Sequence, residues 1–226
     1  MQTLVIKYGG NAIDGTAALD AFACTIRELN NRHQRTVIVH GGGPQINHWL
    51  DKTQTPSHFV DGQRHTDPAT LDIVEMALCA HVNKAIVRAL HRQNLRTCGI
   101  SGEDGGILTA SHTPALGRVG QIRDTDPALI RTLLDNAYLP VIAPLALDDN
   151  GHLLNINADY SAAHIAASLA ADHFILMTNV PGILDADKQR IPHATPAQLD
   201  ALIANGVIHG GMLPKVQCAL AALQGA

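Results

Sequence analysis

The stretch VIVHGGGPQI, from Val37 to Ile46, decides the fold of this chain. Its apolar run predicts a buried strand, the glycines at positions 41–43 end that strand, and Pro44 suits the first turn of a helix. An earlier stretch, TLVIKYGG at positions 3–10, has the same order of apolar strand and glycines. Strands that alternate with helices predict an α/β fold with a parallel sheet and right-handed crossover connections.

The alternation continues along the rest of the chain. Helices are predicted at positions 16–33, 66–93, 126–138, 158–171, 195–207 and 211–226. Strands are predicted at positions 35–40, within 96–111, at 139–147 and at 172–180, with a hairpin at 116–125. In LLNINAD, positions 153–159, the two-residue period places Asn155, Asn157 and Asp159 on one side if the strand persists.

Composition argues against several classes of function. Of the 226 residues, 46% are hydrophobic and only 3% are aromatic, which suits an aliphatic core between helices and parallel strands. The net charge of -4 and the lack of a basic run argue against a nucleic-acid partner. No segment fits a signal peptide or a membrane span, so we expect a soluble cytoplasmic protein that binds no membrane. The four cysteines are predicted to be buried free thiols, and the 13 histidines show no metal-ligand spacing.

The glycine loops are candidate anion sites. Backbone N–H groups without side chains can approach a ligand at the carboxyl end of a parallel strand, and a following helix adds the positive end of its dipole. Taken alone, the three glycines at 41–43 fit an anion site and a tight turn equally well. Neither loop matches the GxGxxG pattern of dinucleotide sites or the GxxxxGK[ST] pattern of the phosphate-binding P-loop.

Three charged residues favour the anion interpretation. Lys7 lies in an otherwise apolar strand, where a lysine is costly unless it meets an anion. Lys215 lies at the start of one predicted helix, and Asp159 opens another. Two cations, a carboxylate that orients them and two glycine loops are groups that phosphoryl transfer uses, because that reaction depends on positioning and on neutralising charge.

A set of segments, in a constant order along the chain, carries a resemblance to a known family. They are IKYGGNAI, VIVHGGGPQIN, GQRHTDPATLDIVEMAL, VNKAIV, GISGEDGG, AYLPVIAP, NINADYSAAHIA, TNVPGIL and GGMLPKV. In these segments the chain resembles the amino acid kinase family over nearly its whole length. The resemblance implies a three-layer αβα sandwich with a mainly parallel central sheet. It also implies an amino-acid-substrate lobe at positions 1–170 and a nucleotide-binding lobe at positions 171–226.

The resemblance implies ATP-dependent phosphorylation of the side-chain carboxylate of N-acetyl-L-glutamate, the second step of arginine biosynthesis. Lys7 and Lys215 are similar to the family lysines that stabilise the transferring phosphoryl group, and Asp159 to the aspartate that holds both lysines. Arg64 is similar to the arginine that binds the substrate's α-carboxylate. The implied substrate contacts are Gly42, Gly43, Arg64, Asn155 and Asn157. The implied nucleotide contacts are Gly9, Gly10, Asn179, Val180, Pro181, Gly182, Ile183, Leu184, Val207, Ile208, His209, Gly211 and Met212.

The implied chemistry sets further expectations. A carboxylate acceptor is already ionised at neutral pH, so no general base is needed. Mg²⁺ is expected to be held mainly by phosphate oxygens, without a dedicated protein metal site. The family usually continues past the PKV helix, so the nucleotide lobe is expected to be shortened at its end. The chain also lacks the N-terminal extra helix of arginine-inhibited hexamers, which predicts a homodimer without arginine feedback.

Two other functions stay open. The chain departs from the family at Asn179, where aspartate is usual, at Tyr160, and at His65 beside the substrate arginine. One alternative is a kinase for a related carboxylate, such as carrier-bound aminoadipate or glutamate. The other is a weakly active regulatory relative, which Asn179 and the shortened end favour and the intact lysines and aspartate oppose.

Overall fold

The chain begins with a strand, a helix, a strand and a helix, as the sequence predicts. The computed structural model describes residues 1–9, 15–60, 62–178, 180 and 182–224. Of Gln224 it describes the backbone only. The strands are β1 (Thr3–Tyr8), β2 (Arg35–His40), β3 (Phe59–Val60), β4 (Gln63–Arg64), β5 (Thr97–Ser101), β6 (Leu108–His112), β7 (Gly120–Thr125), β8 (Leu139–Ala143), β9 (Leu145–Leu147), β10 (Leu153–Asn155) and β11 (His173–Leu176). The α-helices are α1 (Thr16–Asn31), α2 (Gly43–Thr53), α3 (Pro68–Glu75), α4 (Asn83–His91), α5 (Ala128–Asp135), α6 (Ala158–Ser168), α7 (Pro196–Ala204) and α8 (Leu213–Gln224).

Five strands form a parallel central sheet in the order β11-β1-β2-β8-β5. Because these strands run in the same direction, their carboxyl ends meet at one edge of the sheet. The predicted α/β fold with a mainly parallel central sheet is confirmed. Among the helices that the structure describes, none is long and apolar enough to cross a membrane.

Helices cover both faces of this sheet. Val5 of β1 and Val39 of β2 pack with α5 and α6 on one face. Their neighbours Ile6 and Ile38 pack with α1 and α4 on the other face. Successive side chains of a strand alternate between faces, so Lys7, two residues after Val5, lies on the α6 face. The result is three layers, helix, sheet and helix.

A second sheet has the order β10-β9-β6-β7. The predicted single strand at 139–147 is wrong in one respect, because it is divided at Pro144 into β8 of the central sheet and β9 of the second sheet. Pro144 has no backbone N–H to donate to a sheet ladder, which favours a break there, although Pro140 is accommodated within β8. The hairpin predicted within 116–125 is also wrong, since β7 pairs instead with β6 at 108–112.

The long helix predicted at 66–93 changes its helix type in the middle. Asp67 caps it by accepting a 2.7 Å hydrogen bond from the Thr70 N–H. Between α3 and α4 the chain forms a π-helical segment, Met76–Val82. Such segments occur often at functional sites, and this one ends directly before Asn83.

The last strand connects the two predicted lobes. β11 follows the predicted boundary at position 170 and pairs with β1, from Leu4 opposite His173 to Lys7 opposite Leu176. α8 packs against α6. Both sides of position 170 thus contribute to one central sheet, and the division into two lobes stays a prediction.

Candidate active site

A cavity of about 230 Å³ lies at the carboxyl edge of the central sheet. Its walls come from β1, the loop after β2, the hairpin of β3 and β4, Pro144 after β8, and the start of α6. Residues predicted for catalysis or substrate binding that line it are Lys7, Gly42, Gly43, Arg64, Asn155, Asn157 and Asp159. The parallel sheet thus brings together residues that are widely separated in the sequence.

Asp159 contacts two lysines from opposite ends of the chain. Lys7 Nζ lies 2.9 Å from Asp159 Oδ1 as an ion pair, and Lys215 Nζ donates a 2.8 Å hydrogen bond to Oδ2. Lys7 extends from β1, Asp159 from the first turn of α6, and Lys215 from the first turn of α8. The structure therefore brings the two ammonium groups to one carboxylate, as the sequence predicts.

The local structure holds Asp159 as an ionised group. Asn157 caps α6, and its Oδ1 accepts a 2.8 Å hydrogen bond from the Asp159 N–H. Burial raises the pKa of Asp159, but the charges and hydrogen bonds of the two lysines outweigh burial, so the pKa falls below its ordinary value of 3.8. Two ammonium groups beside one carboxylate leave an excess of positive charge, which favours an anionic ligand.

Arg64 is a second cation on the cavity wall, and its side chain is held by neutral groups. Its Nη1 donates to Ser57 Oγ at 2.6 Å and its Nη2 to Asn47 Oδ1 at 2.5 Å. The guanidinium carbon lies 4.7 Å from the centre of the Phe59 ring. In the described part of the chain, no carboxylate forms an ion pair with it. A buried guanidinium without a carboxylate partner favours an anionic ligand.

The two asparagines reach the cavity from different elements. Asn155 ends β10, and its Nδ2 donates to Thr66 Oγ1 at 3.1 Å. Thr66 Oγ1 in turn donates to the Arg64 carbonyl oxygen at 3.1 Å. The strand does not persist beyond Asn155, since Asn157 is already the N-cap of α6. The condition for the predicted alternation fails, yet both asparagines line the same cavity.

The glycines differ in what they permit. A Cβ atom at Gly9 would lie 2.8 Å from the Met177 carbonyl oxygen, and one at Gly42 would lie 2.6 Å from Leu78 Cδ2. A Cβ atom at Gly43 would meet no atom within 4 Å. Gly9 and Gly42 thus allow close packing at two strand ends, whereas Gly43 leaves space at the start of α2.

Where the structure describes them, the residues predicted to bind the nucleotide do not line this cavity. Gly10, Asn179 and Pro181 lie outside the described residues. Ile183, Ile208 and Met212 pack in a small apolar cluster beside α7 and α8. The others are Gly9, Val180, Gly182, Leu184, Val207, His209 and Gly211. None of the ten described members lines the 230 Å³ cavity, so their role stays a prediction.

Sequence reasoning missed Asn47 and Ser57, the partners of Arg64. Asn47 lies four residues after Gly43 in α2, and residues at this spacing share a helix face. That spacing could have placed Asn47 near the glycine loop. Ser57 carries no comparable signal, because it lies in the irregular segment between α2 and β3.

The fold and the candidate active site together define the class of protein to which the chain belongs. A parallel α/β sheet with two lysines around one carboxylate, a buried arginine and glycine turns at its carboxyl edge is the arrangement of a phosphotransferase that neutralises phosphoryl oxygens. The chain belongs to the amino acid kinase family, whose defining sequence pattern matches residues 2–226.

Particular relatives narrow this class. The chain is 44% identical to the acetylglutamate kinase of Roseobacter denitrificans, over 99% of this chain and 78% of that protein. It is also 44% identical to the acetylglutamate kinase of Geobacillus kaustophilus, over 100% of this chain and 87% of that protein. The crystal structure of a protein from Streptococcus mutans UA159 superimposes with a TM-score of 0.88 at 31% identity, covering 99% of this chain and 91% of that one.

Proposed function

We propose that the chain is an acetylglutamate kinase, which transfers the γ-phosphoryl group of ATP to the side-chain carboxylate of N-acetyl-L-glutamate in the second step of arginine biosynthesis. The observation that carries the proposal is the contact of Lys7 and Lys215 with Asp159, beside a cavity that also contains Arg64. The names of the two relatives at 44% identity support the choice of acceptor.

The acceptor would lie in the cavity with its two carboxylates at different cations. Arg64 would bind the α-carboxylate, because its planar fork of N–H donors matches a carboxylate. The N–H groups of Gly42 and Gly43 and the side chains of Asn155 and Asn157 would bind the acetamido and carboxylate region. The side-chain carboxylate would then face the end of the cavity that contains Lys7.

Phosphoryl transfer would need charge neutralisation rather than a base. The ionised acceptor oxygen attacks the γ-phosphorus, and the bond to the β–γ bridging oxygen breaks, so that ADP leaves with the electron pair and an acyl phosphate forms. Lys7 and Lys215 would stabilise the charge on the phosphoryl oxygens. Asp159 would hold both ammonium groups beside each other.

Mg²⁺ is a further proposed component, bound to ATP. Among the described residues, no group of three or more histidine, cysteine, aspartate or glutamate side chains is arranged to hold a metal ion. Both carboxylate oxygens of Asp159 already contact lysines. The metal would therefore be held through phosphate oxygens, which is common for Mg²⁺, and would shield part of the phosphate charge.

The remaining assignments are part of the same proposal. Gly9 and Gly10 would approach the phosphates, and positions 179–184 and 207–212 would surround ATP. Positions 1–170 would be the substrate lobe and 171–226 the nucleotide lobe. We expect a cytoplasmic homodimer, and light scattering coupled to size-exclusion chromatography tests the dimer.

A coupled assay of ADP release tests the function directly. N-acetyl-L-glutamate, L-glutamate and L-aspartate are compared side by side with MgATP. Turnover with the acetylated substrate alone supports the proposal. Turnover with the free amino acids but not with the acetylated one contradicts it. Absence of turnover with all three contradicts it as well and favours the carrier-bound or regulatory alternative.

A further inference from the structure

His40 is the last residue of β2, directly before the three glycines, and its side chain is fully buried. It lies on the sheet face opposite to Lys7, because it occupies the strand position paired with Tyr8. Its Nδ1 lies 2.9 Å from the carbonyl oxygen of Gly41, and its Nε2 lies 3.2 Å from Nδ2 of Asn83. No pattern in the sequence assigns this histidine a role in the chemistry.

The partners of Asn83 decide where the proton of His40 is. Asn83 Nδ2 also lies 2.9 Å from the Val141 carbonyl oxygen and 3.2 Å from the Ile100 carbonyl oxygen. Both of these groups only accept hydrogen bonds, so the Asn83 atom that faces them is the amide nitrogen, which only donates. The amide has two N–H groups for three acceptors, so one N–H is shared, and His40 Nε2 can only accept from it. The Gly41 carbonyl oxygen beside Nδ1 also only accepts, so the proton of the neutral imidazole is on Nδ1.

That tautomer fixes the peptide between Gly41 and Gly42. The protonated Nδ1 donates to the Gly41 carbonyl oxygen, while the Gly41 N–H donates to the Tyr8 carbonyl oxygen at 3.0 Å. In a planar trans peptide the N–H points away from the C=O. With the Gly41 C=O held against His40, the Gly42 N–H points to the opposite side. Both glycines line the cavity.

The geometry points to His40 as a positioning residue, which holds the Gly41 carbonyl away from the acceptor and directs the Gly42 N–H toward it, with Asn83 fixing its tautomer. This inference rests on the proposed function, because the acceptor is the ligand that the Gly42 N–H would meet. Burial lowers the pKa of His40 to about 4, so the imidazole stays neutral while the enzyme works. The π-helical segment ends directly before Asn83, whose amide contacts the last residue of β2 and carbonyl oxygens of β8 and β5.

Two substitutions of His40 separate positioning from packing. Asparagine has an amide nitrogen near the place of Nδ1, so His40→Asn keeps the donor to the Gly41 carbonyl, whereas His40→Leu removes it. We expect His40→Leu to raise the KM for N-acetyl-L-glutamate about tenfold or more and to lower kcat, as loss of an oriented N–H donor does. The KM for ATP should stay unchanged, and His40→Asn should restore the acceptor KM toward the parent value.

Ile130→Val is the matched control for destabilisation, because Ile130 is fully buried in α5 and does not line the cavity. A purely structural role predicts that His40→Asn and His40→Leu lose activity in proportion to their melting temperatures, as Ile130→Val does, with no change specific to the acceptor. That result overturns the inference. Parent-like kinetics of His40→Leu overturn it too.

A spectroscopic measurement on the parent protein separates this inference from the proposed function. Long-range ¹H–¹⁵N NMR of the parent should show His40 as a neutral imidazole protonated on Nδ1, and the Gly42 amide signal should move in His40→Leu but much less in His40→Asn. A proton on Nε2 of the parent overturns the inference even if His40→Leu does not fold. An unmoved Gly42 signal in a folded His40→Leu overturns it as well. A parent that does not phosphorylate N-acetyl-L-glutamate, with these NMR results as expected, rejects the proposed function and leaves the orientation of the loop supported.

Discussion

The carboxylate of Asp159 contacts two ammonium groups, so the three side chains carry an excess of positive charge. Asp159 is 7% exposed and Lys7 is 9% exposed, which makes their charges costly to remove from water. An arrangement built for stability alone would balance these charges within the chain. In the proposed function, the phosphoryl group, with negative charge on its oxygens, would supply the balance instead. Ligand binding would then explain the excess charge.

Replacement of Lys215 tests this interpretation. We expect Lys215→Ala to lower kcat by about 100-fold or more, because the ammonium group acts mainly on charge that develops in the transition state. The KM for N-acetyl-L-glutamate should change much less, since Lys215 does not line the acceptor cavity. Steady-state kinetics with both substrates measure this, and Lys52→Ala, an exposed lysine of α2, is the control. A change in the acceptor KM alone would show that the assigned role is wrong.

Replacement of Arg64 should give the opposite kinetic pattern to replacement of Lys215, with the larger effect on the acceptor KM. Arg64→Lys should raise the acceptor KM by about tenfold or more, because lysine has no fork that can contact Ser57, Asn47 and a carboxylate together. The KM for ATP should remain that of the parent. Arg27→Lys, an exposed arginine that bonds to Gln93, is the matched control. Equal changes in both KM values would argue against a contact between Arg64 and the acceptor.

Individual site residues were predictable to different degrees. Lys7 and Asp159 could be found from sequence because each charged residue lies where a strand or helix end meets the carboxyl edge of a parallel sheet. The partners of Arg64 were not predictable, since Ser57 reaches it only through the path of a loop. The role of His40 depends on which atom of Asn83 faces it, and that orientation follows from carbonyl groups on two other strands.

At the level of elements, the start of α2 depends on how closely it packs against the π-helical segment. We expect Gly42→Ala to lower the free energy of unfolding by about 1–3 kcal/mol, because the new methyl group would overlap Leu78 and crowd Val82. Gly43→Ala is the matched control, since its methyl group would enter open space. Urea unfolding of both variants measures the difference. Equal stability of the two variants would show that the π-helical segment yields easily.

The elements themselves were largely predictable, and their interruptions were not. The spacing of the apolar residues predicted the two long helices that cover the α1 and α4 face of the central sheet, because a period of 3.6 residues is distinct when it extends over many residues. The same period cannot distinguish a π-helical turn from an α-helical one inside a continuous helix. The change of sheet at Pro144 was missed because the apolar run continues through it, and because a proline alone does not mark the end of a strand, as Pro140 within β8 shows.

For the whole molecule, the free energy of unfolding should decrease as the pH is lowered, in two separate pH ranges. Burial lowers the pKa of His40 from 6.5 to about 4, so between these values the unfolded chain binds a proton that the folded chain does not. Stability therefore falls as the pH drops from 6.5 to about 4. The pKa of Asp159 lies below 3.8, so its contribution is complete above pH 3.8 and is lost as the pH falls further.

His40→Asn should remove the decrease in the first pH range and leave that in the second. Asparagine does not titrate, so the free energy of unfolding of this variant should change less between pH 6.5 and 4, by at most about 3 kcal/mol relative to the parent. His164, whose pKa burial also lowers, is present in both proteins and cancels in the comparison. Asp159→Asn should keep the decrease in the first pH range and lose only the fall below pH 3.8. Urea unfolding from pH 3 to pH 8 measures both, and parallel curves for the parent and His40→Asn would mean that His40 is protonated as readily in the folded chain as in the unfolded one.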